Sequence, residues 1–183
     1  MFHFRGAPHV HAFVNVAMNG DAPLSVGESL GENPSALEGA GVKRLFERAM
    51  QAELGTDFAY YDAEAVVGRL RKGSIRAGDI YVLESWQDSI AVVQVRGARL
   101  APAFAAELRA RGLGVEPERR YSIATTSDVA DEQAETLGRV EASQPGSLLR
   151  EVTVAHLRAR GFASLGPSLR ATPRPPLLRG GFG

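Results

Sequence analysis

The chain alternates between segments with helical spacing of apolar residues and short apolar runs bounded by turn residues, and this alternation limits the folds open to it. Apolar side chains that recur every three to four residues predict helices. Short β-branched or aromatic runs predict strands. Helices are predicted at residues 35–55, 100–111, 128–137 and 148–160, and strands at residues 58–61, 90–95 and 121–125. This order predicts an α/β or α+β domain in which helices pack on a small mixed β-sheet.

The first predicted helix has a start signal and a stop signal. Ser35 and Glu38 have the spacing of a capping box, in which the serine side chain accepts from a backbone amide and the glutamate returns the contact. Gly55 is placed to end the helix. Between them, the residues with inward helical spacing are Val42, Leu45, Phe46, Ala49 and Met50.

Length and composition predict one domain with a flanking segment on each side. The chain has 183 residues, of which 44% are hydrophobic, enough for a core. We expect an N-terminal segment with one candidate strand at residues 1–34, the folded domain at residues 35–162, and an extended tail at residues 163–183. The tail is rich in proline, glycine and arginine and has no acidic residue. Its candidate partner-binding residues are Arg170, Arg174, Arg179 and Phe182.

Charge and cysteine content exclude several classes of function. Lys and Arg together number 21 and so do Asp and Glu, so no net charge attracts nucleic acid. Four cations within residues 69–76 have no interleaved aromatic residue, which favours an exposed hairpin or loop over a nucleic-acid site. The absence of cysteine excludes disulfides and thiolate metal sites. His9 and His11 would share one face of a strand, but this spacing is typical of a weak accidental metal site.

The sequence predicts a cytoplasmic protein without a membrane span. No apolar run approaches the ~20 residues that a membrane-spanning helix requires. The N-terminal segment is a poor signal peptide, because its apolar stretch is short and is interrupted by His9, His11 and Asn15.

A continuous pattern of glycine, aspartate and apolar residues covers residues 57–97, which read DFAYYDAEAVVGRLRKGSIRAGDIYVLESWQDSIAVVQVRG. The run AGDIYVL and the following apolar strand that ends at Gly97 carry most of the pattern. Downstream, residues 121–125 read YSIAT. The pattern resembles the C-terminal, substrate-recognition domain of 5'-nucleotidases, and the resemblance covers residues ~30–162. It implies that domain's fold for this chain.

The departures from the family pattern fall on its ligand-binding positions. Where the family has a glycine-rich loop that ends in arginine, this chain has residues 62–67, with Asp62 at the start and Val67 at the arginine position. The ring that stacks on the base is retained as Trp86, with Asp88 at the family's amide position. The family has a second aromatic ring that closes on the other side of the base, and Asp128 stands at its position here. Ala134 stands at the position of the family's acid that binds sugar hydroxyls. The resemblance therefore implies a degenerate pocket.

The catalytic half of those nucleotidases has no counterpart in the sequence. A two-metal phosphoesterase site needs several His, Asp and Asn ligands placed together. The family's D-x-H and G-N-H-[DE] motifs do not occur here. We therefore predict no catalytic residues, no metal site and no cofactor, and we do not expect the chain to hydrolyse phosphate esters by itself.

Each candidate ligand-binding residue has two interpretations. Trp86 would stack on a flat ligand, or it is a core or interface tryptophan. Asp62, Glu64 and Asp88 would hold a cation or a basic partner, or they form a solvated acidic surface.

Two functions remain open. The chain is either a non-catalytic interaction or structural subunit of a larger protein assembly, or a nucleotide-like ligand-binding module that works with a separately encoded metallophosphoesterase. The first hypothesis implies a protein partner and the second a weakly bound nucleoside.

Overall fold

The computed structural model describes residues 25–131 and 134–162, and within them helices and strands alternate along the chain. The strands are β1 (Ser29–Asn33), β2 (Phe58–Ala59), β3 (Gly73–Arg76), β4 (Ser89–Leu100), β5 (Arg120–Thr126) and β6 (Gly138–Leu148). The helices are α1 (Gly39–Leu54), α2 (Ala77–Leu83), α3 (Pro102–Ala110), α4 (Ser127–Asp131), α5 (Ala134–Leu137) and α6 (Leu149–Arg160).

Four strands form the main sheet in the order β2-β5-β4-β6. β2 runs parallel to β5, whereas β4 is antiparallel to both of its neighbours, so the sheet is mixed. β1 and β3 form a separate two-stranded antiparallel sheet. The predicted fold class, a small mixed sheet packed with helices, is confirmed.

Helices cover both faces of the main sheet. On one face, Phe46 of α1 and Val152 of α6 share a buried cluster with Ile90 of β4. On the other face, Phe104 of α3 packs in a second cluster with Val93 of β4. Alternate residues of a strand point to opposite faces, so β4 contributes to both clusters. Each large apolar side chain buried in this way contributes about 1.5–3 kcal/mol.

The N-cap of α1 is Glu38 rather than the predicted Ser35, and its side chain makes no capping hydrogen bond. Leu37 is the cause: its backbone amide donates to the carbonyl of Leu70 at 2.8 Å, and the amide of Leu70 donates back at 2.8 Å. This bridge keeps Leu37 extended, so the predicted capping box cannot form. The predicted end is correct, because Gly55 follows α1 with a left-handed φ of 62°.

Sequence periodicity did not predict β1, β3, α2 or β6. β6 contains Pro145 and Gly146, which interrupt the apolar alternation typical of a strand. The strand lies at the edge of the sheet, where proline is tolerated because only one side is paired. The first turn of α2 is stabilised by the Asp79 carboxylate, whose Oδ2 accepts from the backbone amide of Arg76 at 2.8 Å.

Within the described residues, no helix has the length and apolar character needed to cross a membrane. The longest of them, α1, has 16 residues and a charged face.

Candidate functional site

Trp86 lies in the loop that joins α2 to β4, and 70% of its surface is exposed. Two contacts with α6 hold the loop: the amide of Leu149 donates to the carbonyl of Asp88 at 2.9 Å, and Nη2 of Arg150 donates to Oε1 of Gln87 at 3.1 Å. Gln87 has a φ of 60°, a conformation that non-glycine residues rarely adopt. The loop therefore presents Trp86 to solvent, and the interpretation of Trp86 as a core residue is wrong.

Glu84 is the residue that follows α2, at the start of this loop, and it is fully buried. Its Oε1 accepts a 3.0 Å hydrogen bond from the amide of Asp88. Its Oε2 is buried and has no hydrogen-bond partner among the residues that the structure describes. Burial raises the pKa of Glu84; the hydrogen bond from Asp88 opposes the shift and the charge of Asp88 adds to it. Sequence analysis missed Glu84, since no signal distinguishes a buried glutamate from an exposed one beside a polar loop.

The sequence-predicted acids and Tyr61 are linked electrostatically to this loop. Burial raises the pKa of Asp88, and the negative charge of Asp128 raises it further. The pKa of the Tyr61 hydroxyl is also raised, first by burial and then by the charges of Asp88, Glu84 and Asp62. The charges of Asp62, Glu84 and Asp88 thus all act on Tyr61, and the charge of Asp128 acts on Asp88.

The four carboxylates differ in their exposure to solvent. Asp62 is half-buried, and its Oδ1 accepts a 2.9 Å hydrogen bond from the amide of Glu64. Glu84 is enclosed by protein. Asp128 is exposed in the first turn of α4, and Asp88 is half-buried at the base of the Trp86 loop. Asp62, Asp88 and Asp128 are therefore all reachable from solvent, whereas Glu84 is not.

This region combines a large exposed ring with negative charge. Arg150 supplies a cation at this loop: its guanidinium lies 5.1 Å from the Tyr81 ring centroid and also bonds Gln87. In residues 25–131 and 134–162, no group of three His, Cys, Asp or Glu side chains is arranged to hold a metal ion. The arrangement suits contact with an apolar or basic group better than contact with a phosphate, since carboxylates repel anions.

The candidate partner-binding residues of the tail, Arg170, Arg174, Arg179 and Phe182, lie outside the described residues. The same holds for the histidines of the N-terminal segment.

Comparison with known proteins yields similarity to solved structures only. No protein-family model matches the chain, and no curated protein matches it significantly. A 5'-nucleotidase precursor from Thermus thermophilus is similar with a TM-score of 0.56 and 13% identity, over 72% of this chain and 36% of that one. NAD nucleotidase from Haemophilus influenzae has a TM-score of 0.55 and 14% identity, over 73% of this chain and 36% of that one.

A third similar structure is the sulfate thiohydrolase SoxB of Thermus thermophilus in complex with glycerol, with a TM-score of 0.54 and 14% identity. The match covers 74% of this chain and 33% of that one. The chain thus spans about a third of the length of the solved structures it matches. At these identities the likeness concerns the fold, and this chain has a 5'-nucleotidase-like fold.

Proposed function

We propose that the chain is a non-catalytic module that uses a 5'-nucleotidase-like fold as an interaction or structural subunit of a larger protein assembly. The observation that carries the proposal is the exposure of Trp86 on an anchored loop. Val82, four residues earlier in the last turn of α2, is 71% exposed. Tryptophan is enriched among the residues that dominate binding energy at protein interfaces.

The way the loop is held supports a binding role. Leu149 and Arg150 contact the loop from α6, and Glu84 contacts it from below. A ring presented on a fixed loop loses little conformational entropy when a partner covers it. Burying a tryptophan ring removes about 150–250 Å² of surface from water. This is a large contribution to the binding free energy from one side chain.

The charge around Trp86 indicates the chemistry of the partner. Asp88 is half-buried two residues after Trp86, and Asp128 is exposed and close enough for its charge to raise the pKa of Asp88. A protein that offers an apolar pocket flanked by lysine or arginine would match both features, because charges of opposite sign set the orientation of association. A nucleotide would instead bring its phosphate toward these carboxylates.

The second candidate function is a nucleotide-like ligand-binding module that acts with a separately encoded metallophosphoesterase. It is supported by the free face of Trp86, since an exposed ring can stack on a base. Two of the similar structures are described as nucleotidases, which is consistent with this candidate. A partner carrying a two-metal site would favour it over the first.

Photo-crosslinking in cells of the source organism tests the proposal. A photoreactive phenylalanine derivative is placed at position 86 and, as a matched control, at Glu118, whose side chain is 88% exposed elsewhere on the surface. We expect a discrete adduct from position 86 and none of that mass from position 118. The purified partner should then bind the Trp86→Ala variant at least tenfold more weakly, with the melting temperature unchanged.

Three results would count against the first function. Identical adducts from both positions would indicate random contact. Full binding of the Trp86→Ala variant would remove the ring from the interface. An adduct identified as a metallophosphoesterase would support the second function.

A further inference from the structure

A groove of about 920 Å³ lies between one side of α1, the end of α3 and the C-terminal half of α6. None of the carboxylates around Trp86 lines it, so it is a separate feature of the surface. Its lining is strongly cationic. Two carboxylates, Glu47 and Glu107, face five cations, which are Lys43, Arg44, Arg48, Arg111 and Arg160.

The two carboxylates of the groove are already paired. Oε1 of Glu47 lies 2.5 Å from Nζ of Lys43, and its Oε2 lies 3.4 Å from Nη1 of Arg111. Glu107 lies 3.7 Å from Arg111 and 3.9 Å from Lys43. Lys43 and Arg111 therefore use both carboxylates, and no acidic group of the lining remains for the other arginines.

The remaining arginines differ in whether a carboxylate neutralises their positive charge. Arg160 pairs with Glu53 at 3.5 Å, outside the groove lining. Arg44 and Arg48 form no ion pair with any residue in the described part of the chain. They stand four residues apart on α1, and residues with this spacing are neighbours on a helix surface. The groove thus has two adjacent uncompensated guanidinium groups.

Two observations show that the guanidinium groups of Arg44 and Arg48 lack partners of opposite charge or hydrogen-bond acceptors among the described residues. Nε of Arg44 is buried and has no hydrogen-bond partner in the part of the chain that the structure describes. Buried donors are almost always paired, so an orphan points to a missing acceptor. The pKa of Arg48 is lowered, first by burial and then by the charges of Arg111 and Arg44. Three guanidinium groups therefore repel one another across the groove.

We propose that this groove binds the phosphate group of a small phosphorylated ligand, with Arg44 and Arg48 as its direct donors and Arg111 alongside them. Guanidinium groups match phosphate oxygens with paired, charge-assisted hydrogen bonds. The two uncompensated charges match the charge of about −1.5 to −2 that a phosphate monoester carries at neutral pH. The groove volume falls within the roughly 300–1,000 Å³ typical of small-molecule sites.

Inorganic phosphate is the probe for the test. Its affinity is measured by titration calorimetry, and the melting temperature is followed in phosphate and in sodium chloride of equal ionic strength. The variants are Arg44→Gln, Arg48→Gln and, as a matched control, Arg69→Gln, which removes the same charge from an exposed position outside the groove. Trp86 does not enter this experiment, so its outcome is independent of the proposed function.

We expect phosphate to raise the melting temperature of the wild type and of Arg69→Gln, and sodium chloride to raise it less. The affinity for phosphate should fall about tenfold or more in Arg44→Gln and in Arg48→Gln, because each loses a charge-assisted contact. Without phosphate, Arg48→Gln should melt at or above the wild-type temperature, since it relieves repulsion. Loss of binding in that variant therefore cannot be attributed to misfolding.

The proposal is overturned by any of three results. Equal stabilisation by sodium chloride would mean that salt merely screens the arginines. Wild-type phosphate affinity in Arg48→Gln would place the binding elsewhere. A hexaglutamate peptide that binds at lower concentration than phosphate would make the groove a docking site for an acidic protein segment.

Discussion

The backbone amide of Asp88 donates a 3.0 Å hydrogen bond to Oε1 of Glu84, and Oε2 of the same carboxylate is buried without a partner among the described residues. One oxygen of Glu84 thus fixes the loop that carries Trp86, while the other is buried without a hydrogen bond within the described part of the chain. A carboxylate in this position is easier to protonate than one in water. The loop that presents Trp86 therefore depends on a group whose charge the fold disfavours.

Substitution of Glu84 by glutamine should change how the free energy of unfolding depends on pH. Burial raises the pKa of Glu84 in the folded state, so the folded state binds the proton more tightly than the unfolded state. The wild type therefore loses stability as pH rises above the unfolded pKa of about 4.5. Glu84→Gln keeps the acceptor for Asp88 but does not titrate. Its free energy of unfolding relative to wild type should increase from pH 5 to pH 7.5.

Urea unfolding at the two pH values measures this difference. Glu118→Gln is the control, because it makes the same change at an exposed side chain. A stability difference between Glu84→Gln and wild type that is the same at both pH values would show that the pKa of Glu84 is not raised.

Gly97 should be intolerant of alanine. Its amide donates to the carbonyl of Arg119 at 2.8 Å, and an added Cβ would overlap the carbonyl oxygen of Glu116 and crowd the Tyr121 ring. Backbone cannot move aside as a flexible side chain can, so we expect Gly97→Ala to cost about 2–3 kcal/mol. Gly114→Ala is the matched control, since an added Cβ there meets nothing within 4 Å. Equal melting temperatures for the two variants would refute the predicted close approach.

The ion pair between Lys43 and Glu47 should be required for stability. Nζ of Lys43 contacts Glu47 at 2.5 Å and also donates to the carbonyl of Tyr61 at 2.7 Å. Glu47 is buried, so Lys43→Met would leave its carboxylate compensated only by Arg111 at 3.4 Å. Removing one partner of a buried pair costs about 3–5 kcal/mol, and we expect a loss near the lower end because Arg111 remains.

Denaturant unfolding of matched variants measures this loss. Lys72→Met removes the other lysine of the chain at an exposed position and should change the free energy of unfolding by no more than about 0.5 kcal/mol. Adding Glu47→Gln to Lys43→Met should restore part of the lost stability, because the amide oxygen still accepts from Tyr61 without a charge. A double variant less stable than Lys43→Met would argue against the buried charge as the cause.

The parts of the fold that could be predicted from sequence are those with local causes. Residues 90–95 and 121–125 are short runs rich in β-branched and other apolar residues, and both lie in central strands of the sheet. Gly55 ends α1 because a left-handed residue stops a helix wherever it occurs. The edge strand β6 was not predictable in this way, since Pro145 breaks its pattern and its pairing with β4 supplies the missing signal.

The candidate site could be predicted only in part, because its electrostatics arise from tertiary packing. The resemblance pointed to Trp86, Asp62, Asp88 and Asp128; in the structure Trp86 is exposed, Asp62 and Asp88 both act on Tyr61, and Asp128 acts on Asp88. Glu84, Arg44 and Arg48 are charged residues, which sequence reasoning expects to be exposed to solvent. Their burial follows from the packing of α1, α2, α3 and α6, which local sequence patterns do not encode.

Trp86 should matter for binding and not for folding. Because its ring is 70% exposed, Trp86→Ala should change the free energy of unfolding by no more than about 0.5 kcal/mol.

A single ring contributes about 1–3 kcal/mol of stacking per base, so adenosine should bind to Trp86 no better than about millimolar. AMP should bind this ring more weakly than adenosine, since its phosphate would face Asp88 and Asp128. Trp86 is the only tryptophan, so quenching of its fluorescence reports stacking at this ring alone. Saturable quenching at micromolar adenosine would instead support a retained nucleoside site and the second candidate function.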